Sequence, residues 1–256
     1  MIQNLIFSLA ESAHLATNTI RSCYKILKNC LLDYYEQNTH PTIKFSTIKL
    51  PPIQEKTVLC LTQKEQATLE KSINLATHPK QIGILLALYT GLRLGELLAL
   101  RWENIDLDKK LLRIEQSAYY TNKTLTYSTP KTAASIRTIP IPSFLQNLLK
   151  NHKTQSINPF VISDKSGSPI IPRTYQYLFN TLLKKSNIPH RGFHALRHTF
   201  ATRALECGMD IKALAEILGH SNPMLTLKRY THSMLDYKTA MMDKLSKIYL
   251  NKRPEE

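Results

Sequence analysis

Five short segments of this chain carry residues that can act together on one phosphate. They are TGLRLGELLALRW (90–102) with Arg93 and Glu96, TPKTAASIRTIPI (129–141) with Lys131, HALRHTFAT (194–202) with His194 and Arg197, ILGHS (217–221) with His220, and LKRYTH (227–232) with Tyr230. A guanidinium offers a rigid fork of donors matched to phosphate oxygens. Two arginines, a lysine and two histidines can therefore surround one phosphate while a tyrosine hydroxyl attacks it. Phenol ionises near pH ~10, so it is a weak nucleophile at neutral pH. Several cationic donors around the phosphate stabilise the added negative charge and make the attack feasible.

Each residue also has a plainer reading. Arg93 and Glu96 lie three apart, on one helical face, and read alone they are a surface ion pair. Lys131 sits between two β-like runs, where a lysine is ordinarily a solvated charge. His220 follows Gly219 at a helix end, by default a surface position. Tyr230 is one of twelve tyrosines. His194 and His198 are spaced i, i+4, which suits zinc, but Ala195 stands where an H-E-x-x-H motif has its acid, and Arg197 would repel a cation. No metal is expected.

No single piece discriminates between these readings; their order and local context do. The ordered set resembles the tyrosine recombinase (phage integrase) family, Xer and integrase enzymes that cut and rejoin DNA through a phosphotyrosine. The resemblance runs from about Leu61 to Tyr237. It implies that Arg93, Arg197, His220 and His194 hold the scissile phosphate, with Glu96 supporting the site. It implies Lys131 as proton donor to the leaving 5′ oxygen and Tyr230 as nucleophile. It also implies double-stranded DNA as substrate, no metal, ATP or other cofactor, and a homotetramer on DNA that exchanges its C-terminal helix, here residues 236–249. Arg137 is expected to contact phosphate, and Arg21 and Lys25 to contact DNA. The rival is a catalytically idle DNA-binding protein of the same fold. A type IB topoisomerase shares the chemistry, but this chain is shorter and closer to an integrase.

The elements that must position these residues are mostly helical. Ile20, Tyr24, Leu27, Leu31 and Tyr34 recur at three- and four-residue steps and predict one helix from Ala16 to Glu36, with Arg21, Lys25 and Lys28 on it. Pro41, Pro51 and Pro52 make Thr39–Thr57 an extended linker. Thr62 and Glu65 form a capping box that opens a helix to about Thr77. Pro79 starts a second helix, apolar nearly all round and so buried, which Gly91 closes. Leu94–Leu100 is a short helix. From Ile105 to Pro140 the runs LLRI, TLTY and RTIPI predict a small antiparallel sheet of three strands. Helices return near 142–152, 172–186, 193–206, 210–218, 223–230 and 236–249. The fold class is mainly α with a small antiparallel β-sheet (α+β). Three regions are expected: a partial helical core-binding region over 1–50, a linker over 51–60 and a catalytic domain over 61–256. The family places a complete core-binding domain before the linker, and residues 1–50 match only its last part.

Composition agrees with a polyanionic partner. Lys+Arg minus Asp+Glu is 34 − 19 = +15. The apolar stretch Ile82–Tyr89 is far shorter than the ~20 residues that span a bilayer. The start, MIQNLIFSLAES, lacks a basic n-region and carries Glu11, so no signal peptide or membrane is expected. Cys23, Cys30, Cys60 and Cys207 are scattered without a CxxC pair, as in a reducing cytoplasm.

Overall fold

The computed structural model describes residues 2–11, 15–37, 44–52, 60–129, 135–156, 158–164, 166–220, 239 and 241–246. The chain divides into two units, Met1–Thr57 and Val58–Glu256. Most of the described residues are helical, and the described strands are short and antiparallel.

The first unit holds helices α1 (Ile2–Glu11) and α2 (Thr17–Gln37), which bury Ile6 and Ile20. Helix α2 matches the predicted periodicity within a residue at each end. The described part of the expected linker, 44–52, folds back onto these helices instead of running free. It contains a 3-10 turn at Phe45–Thr47. Gln3 exchanges two side-chain bonds with the Lys49 backbone, at 3.0 and 2.8 Å. Arg21 donates to the Pro51 carbonyl through Nε and Nη2, at 3.1 and 3.0 Å. A proline ends a helix, but its carbonyl still accepts. Lys25 is exposed.

Near the start of the described part of the second unit, the Leu61 N–H donates to the Thr199 hydroxyl at 2.8 Å. Helix α3 (Gln63–Ser72) opens with the predicted reciprocal box between Thr62 and Glu65. It ends five residues before the expected Thr77, because the Gln81 side chain accepts from Asn74 N–H and turns the chain. Pro79–Gln81 is a 3-10 turn feeding α4 (Ile82–Thr90), of which all residues but Tyr89 are buried. Helix α5 (Leu94–Ala99) follows directly.

The β region departs from the expected three-strand arrangement. LLRI (β2, Leu111–Ile114) does pair with RTIP (β5, Arg137–Pro140), but the third strand of that sheet is β1 (Ile105–Asp106). TLTY belongs instead to β4 (Thr124–Ser128), which forms a separate hairpin with β3 (Ser117–Thr121). Asn122 and Lys123 both have positive φ, 48° and 61°, as a two-residue hairpin turn matched to strand twist requires. That tight turn closes the nearest pair of strands on itself. Gly95 lets the hairpin dock on α5: a Cβ there would lie 2.4 Å from Ser117 Oγ and 2.6 Å from Ala118 O.

Helices α6 (Ser143–Thr154), α7 (Pro172–Lys185), α8 (His194–Glu206) and α9 (Ile211–Leu218) complete the unit. The expected helix 223–230 lies outside the described residues. Of the expected 236–249, residues 239 and 241–246 are helical. The core joins α4, α5, β2, β5, α6 and α7 around Leu86, Leu97, Leu112, Leu145, Tyr175 and Phe179. Helix α8 packs against α4.

Gly91 needs glycine on two counts, its backbone and its surroundings. It ends α4 with φ 69°, and a Cβ would meet Phe200 Cδ1 at 2.6 Å and Leu218 Cδ2 at 2.8 Å. The left-handed backbone costs an L-residue ~1–2 kcal/mol, and forced overpacking adds ~1–3 kcal/mol. We therefore expect Gly91→Ala to lose at least ~2 kcal/mol in urea denaturation. Gly192→Ala, whose Cβ would meet nothing within 4 Å, should stay within ~0.5 kcal/mol of the unsubstituted protein. Equal losses at the two positions would contradict this account of Gly91.

Candidate active site

Two helices end beside each other through left-handed glycines, and the sequence-predicted residues follow at once. Helix α4 ends at Gly91, two residues before Arg93; α9 ends at Gly219 (φ 64°), one residue before His220. Such a helix end leaves carbonyls without intrahelical donors. Arg197, on α8, supplies donors to both ends. Its Nη1 donates to Gly91 O at 2.8 Å and its Nη2 to Leu218 O at 2.5 Å. The residue is only 2% exposed. Its Nη2 also lies 2.9 Å from His220 Nε2. A guanidinium only donates, so Nε2 is the acceptor and the ring proton of His220 resides on Nδ1.

The second anchor is Glu96, 3% exposed, in the first turn of α5. Its carboxylate accepts four hydrogen bonds, two on each oxygen. Oε1 receives Arg93 Nη1 at 2.7 Å and Arg137 Nη1 at 3.0 Å. Oε2 receives Arg93 N–H at 2.8 Å and Arg137 Nη2 at 2.9 Å. Burial by itself would raise the carboxyl pKa. The hydrogen bond and charge of Arg137, then the backbone bond and charge of Arg93, outweigh it and hold Glu96 below the usual carboxylate range. A saturated, ionised carboxylate has no lone pair left for a metal or a substrate proton; what Glu96 holds is Arg93 and Arg137.

Arg137 is not where the sequence reading expected it. A phosphate contact needs an outward guanidinium; this one is buried, with side-chain exposure of 5%. Besides Glu96, it donates through Nη1 to Ser135 O at 3.1 Å and through Nε to Ile217 O at 2.5 Å. Four of its five donors are thus taken up within the protein. The signal was present in the strand pattern: β5 alternates buried and exposed, placing Arg137 on the same inward face as Ile139. An arginine on an inward face calls for a buried acid.

Arg93 keeps a more open side chain, 36% exposed. His194, the first residue of α8, is exposed and three residues before Arg197. Its ring meets that of His198 edge to face, centroids 4.6 Å apart. Among the described residues no three His, Cys, Asp or Glu side chains are grouped to hold a metal, and no helix is long and apolar enough to cross a membrane. Lys131 and Tyr230 lie outside the described residues. The structure therefore brings together Arg93, Glu96, Arg137, Arg197 and His220 from four separate segments.

The lowered pKa of Glu96 fixes the sign of a stability effect. A carboxyl group held low stabilises the fold above its unfolded value, near 4.5, and that contribution disappears as pH falls through the folded value. Removing one partner of a buried ion pair typically costs ~3–5 kcal/mol. We expect Glu96→Gln to be destabilised by that order at pH 7 in urea denaturation. The gap to the unsubstituted protein should narrow steadily below pH 4.5. A gap that is constant with pH would show that the Glu96 charge does not carry it.

Comparison with known proteins bears on the same segments. Residues 60–236 match the phage integrase family. A tyrosine recombinase XerC-like protein of Caldanaerobacter subterraneus subsp. tengcongensis is 34% identical over 201 residues, 69% of this chain and 51% of that one. The transposase from transposon Tn916 of Enterococcus faecalis is 30% identical over 209 residues, 75% of this chain and 52% of that one. This chain thus spans about half the length of these two relatives. In three dimensions it is similar to the Tn1549 transposon integrase, solved in complex with transposon right end DNA. The TM-score is 0.78 at 24% identity, over 95% of this chain and 84% of that one, a likeness of fold. Since the match over 60–236 takes in every segment from Arg93 to Tyr230, this chain belongs to the phage integrase family.

Proposed function

We propose that this protein is a site-specific DNA recombinase that cleaves and rejoins strands through a 3′-phosphotyrosyl intermediate. The observation that carries the reading is the cluster itself: Arg93 and His220 sit at the ends of two adjoining helices, with Arg197 bonded to both ends and 2.9 Å from His220. Membership of the family supports the chemistry. The DNA named with the Tn1549 integrase supports duplex DNA as the substrate. So does the net charge of +15.

In this mechanism Tyr230 Oη attacks the scissile phosphorus and gives up its proton to solvent. A P–Oη bond forms and the bond from phosphorus to the 5′ oxygen breaks. Lys131 gives that oxygen a proton, leaving a free 5′-hydroxyl. The 5′-hydroxyl of a partner strand then attacks the phosphotyrosine and returns a proton to Lys131, the tyrosine leaves and regains its proton from solvent, and the strand is rejoined with no net change in phosphodiester bonds. Arg93 binds the phosphate from its open side. His220 donates from Nδ1, and Arg197, behind it, fixes the ring and adds positive charge. His194 adds a donor from the start of α8. These cations supply the charge stabilisation a metal ion would otherwise give. Lys25 on α2 contributes to backbone contacts, and Arg21 braces the same helix. The working assembly is a homotetramer on two duplexes, with residues 236–249 as the exchanged element, acting in the cytoplasm where its DNA lies.

Nicked duplexes tiled across the DNA flanking the coding sequence serve as suicide substrates. At least one should trap a covalent protein–DNA adduct, and Tyr230→Phe should abolish the adduct while retaining binding. An adduct mapped to another tyrosine, such as Tyr237, would remove the nucleophile assignment. Binding with no adduct on any tile would favour an idle DNA-binding protein. Adduct formation should persist in excess EDTA; its loss, with recovery on adding Zn²⁺ or Mg²⁺, would restore a metal at His194 and His198. Arg93→Ala should slow adduct formation on the order of a hundredfold to a thousandfold. Its affinity for the same duplex should change far less, because other basic residues also neutralise phosphates.

A further inference from the structure

We infer that Arg137 is a positioning residue, which sets the geometry of Arg93 and of the His220 turn without touching DNA. The inference rests on the recombinase reading for its effect on rate, and on geometry alone for its effect on Arg93.

Arg137 spans two parts of the site. On one side its fork holds both oxygens of Glu96, at 3.0 and 2.9 Å. The same two oxygens hold the backbone and side chain of Arg93. With Arg137 in place, Glu96 can neither rotate nor tilt without losing a bond. Arg93 therefore has one carboxylate orientation to bind. On the other side, Arg137 Nε takes Ile217 O at 2.5 Å. The next carbonyl, Leu218 O, is taken by Arg197. Successive carbonyls at the end of α9 are thus held by two different arginines, from β5 and from α8. One arginine alone would leave the turn a hinge; two fix its direction. Arg197 joins the α9 end to Gly91, and Arg137 joins it to Glu96. The two struts tie the Arg93 loop to the His220 turn at separate points.

Lysine cannot reproduce this brace. An ammonium is a point charge with three donors, whereas the fork meets two carboxylate oxygens in plane while Nε reaches a carbonyl on its other side. Arg137→Lys keeps the counter-charge for Glu96 and is expected to fold, and it removes the geometry. A misplacement of about 1 Å in a catalytic group costs on the order of a hundredfold in rate. A phosphate contact behaves differently: a lysine retains most of it, and a neutral residue lowers the salt slope of log K by about 0.9.

The test uses the full-length protein, well below its melting temperature, with a duplex from the flanking-DNA tiles that forms adduct. Arg137→Lys should slow single-turnover adduct formation about a hundredfold. Its affinity for the duplex should remain within about twofold, and Arg137→Gln should keep the unsubstituted salt slope. A purely structural role would reduce the bound fraction without separating rate from affinity. In parallel, NMR of protein labelled with ¹⁵N-arginine reads Arg93 directly. The Arg93 Nη resonance, assigned by its loss in Arg93→Lys, should be resolved in the unsubstituted protein and averaged away in Arg137→Lys. An unchanged rate with an unchanged Arg93 resonance overturns the inference. So does a fall in salt slope of about 0.9 in Arg137→Gln, which would make the residue a DNA contact. If the unsubstituted protein forms no adduct, the recombinase reading fails, and the Arg93 resonance by itself decides whether Arg137 positions it.

Discussion

A carboxylate that is almost wholly buried must have each of its lone pairs occupied, and Glu96 meets that requirement by drawing two arginines and a backbone N–H onto itself. Much of the site geometry follows from that requirement. Arg93 cannot leave its loop, because both its main chain and its side chain end on Glu96. Strand β5 cannot shift along β2 without pulling Arg137 away. The net stabilisation from such a buried group is small or even unfavourable against an apolar replacement, since desolvation opposes the Coulomb attraction. What the network supplies is one defined arrangement. A reaction centre that needs donors fixed before the charge develops uses that kind of rigidity.

The charge balance has the same logic. Helix C-termini carry partial negative charge, roughly half an elementary charge each, so the meeting of the α4 and α9 ends is by itself a poor place for a phosphate. Three guanidiniums, Arg93, Arg137 and Arg197, reverse the sign, against the single charge of Glu96. Two of the three are buried behind the turns, and one, Arg93, remains partly open. The buried pair neutralises the helix ends and the carboxylate. The open one is then surplus positive charge at the surface. This explains why three arginines gather where only Arg93 stays partly open.

Much of this was legible in the sequence, and the exceptions have physical causes. The glycines at 91 and 219 announced helix ends, and Thr62 with Glu65 announced a helix start, because caps are local chemistry. The apolar run of α4 announced burial. Strand pairing was misread: an alternating run specifies a face, and TLTY carries nothing that chooses between LLRI and the SAYYT beside it. The end of α3 was set by Gln81, a residue from the next element, which periodicity cannot include. Arg93, Glu96, Arg197 and His220 could be named from motif order. Arg137 could be named too, but its direction depended on strand register, and a basic residue in a basic chain invites the outward reading.

The two turns show why the motifs have the composition they have. In both GLR and GH, glycine comes first and a side chain of the cluster follows within two residues. The left-handed glycine stops the helix and turns the chain sharply, so the next side chain projects from the helix end and not from its flank. The same stop strands carbonyls: Gly91 O at one end, Ile217 O and Leu218 O at the other. The donors that reach them are arginines, Arg197 at Gly91 O and Leu218 O and Arg137 at Ile217 O. Those arginines offset the partial negative charge of the helix ends behind the residues that the turns present. Ending two helices side by side inside a protein thus draws in arginines, and the partly open Arg93 beside them is left as the surplus positive charge. The reading frame of the site is set by where each helix stops.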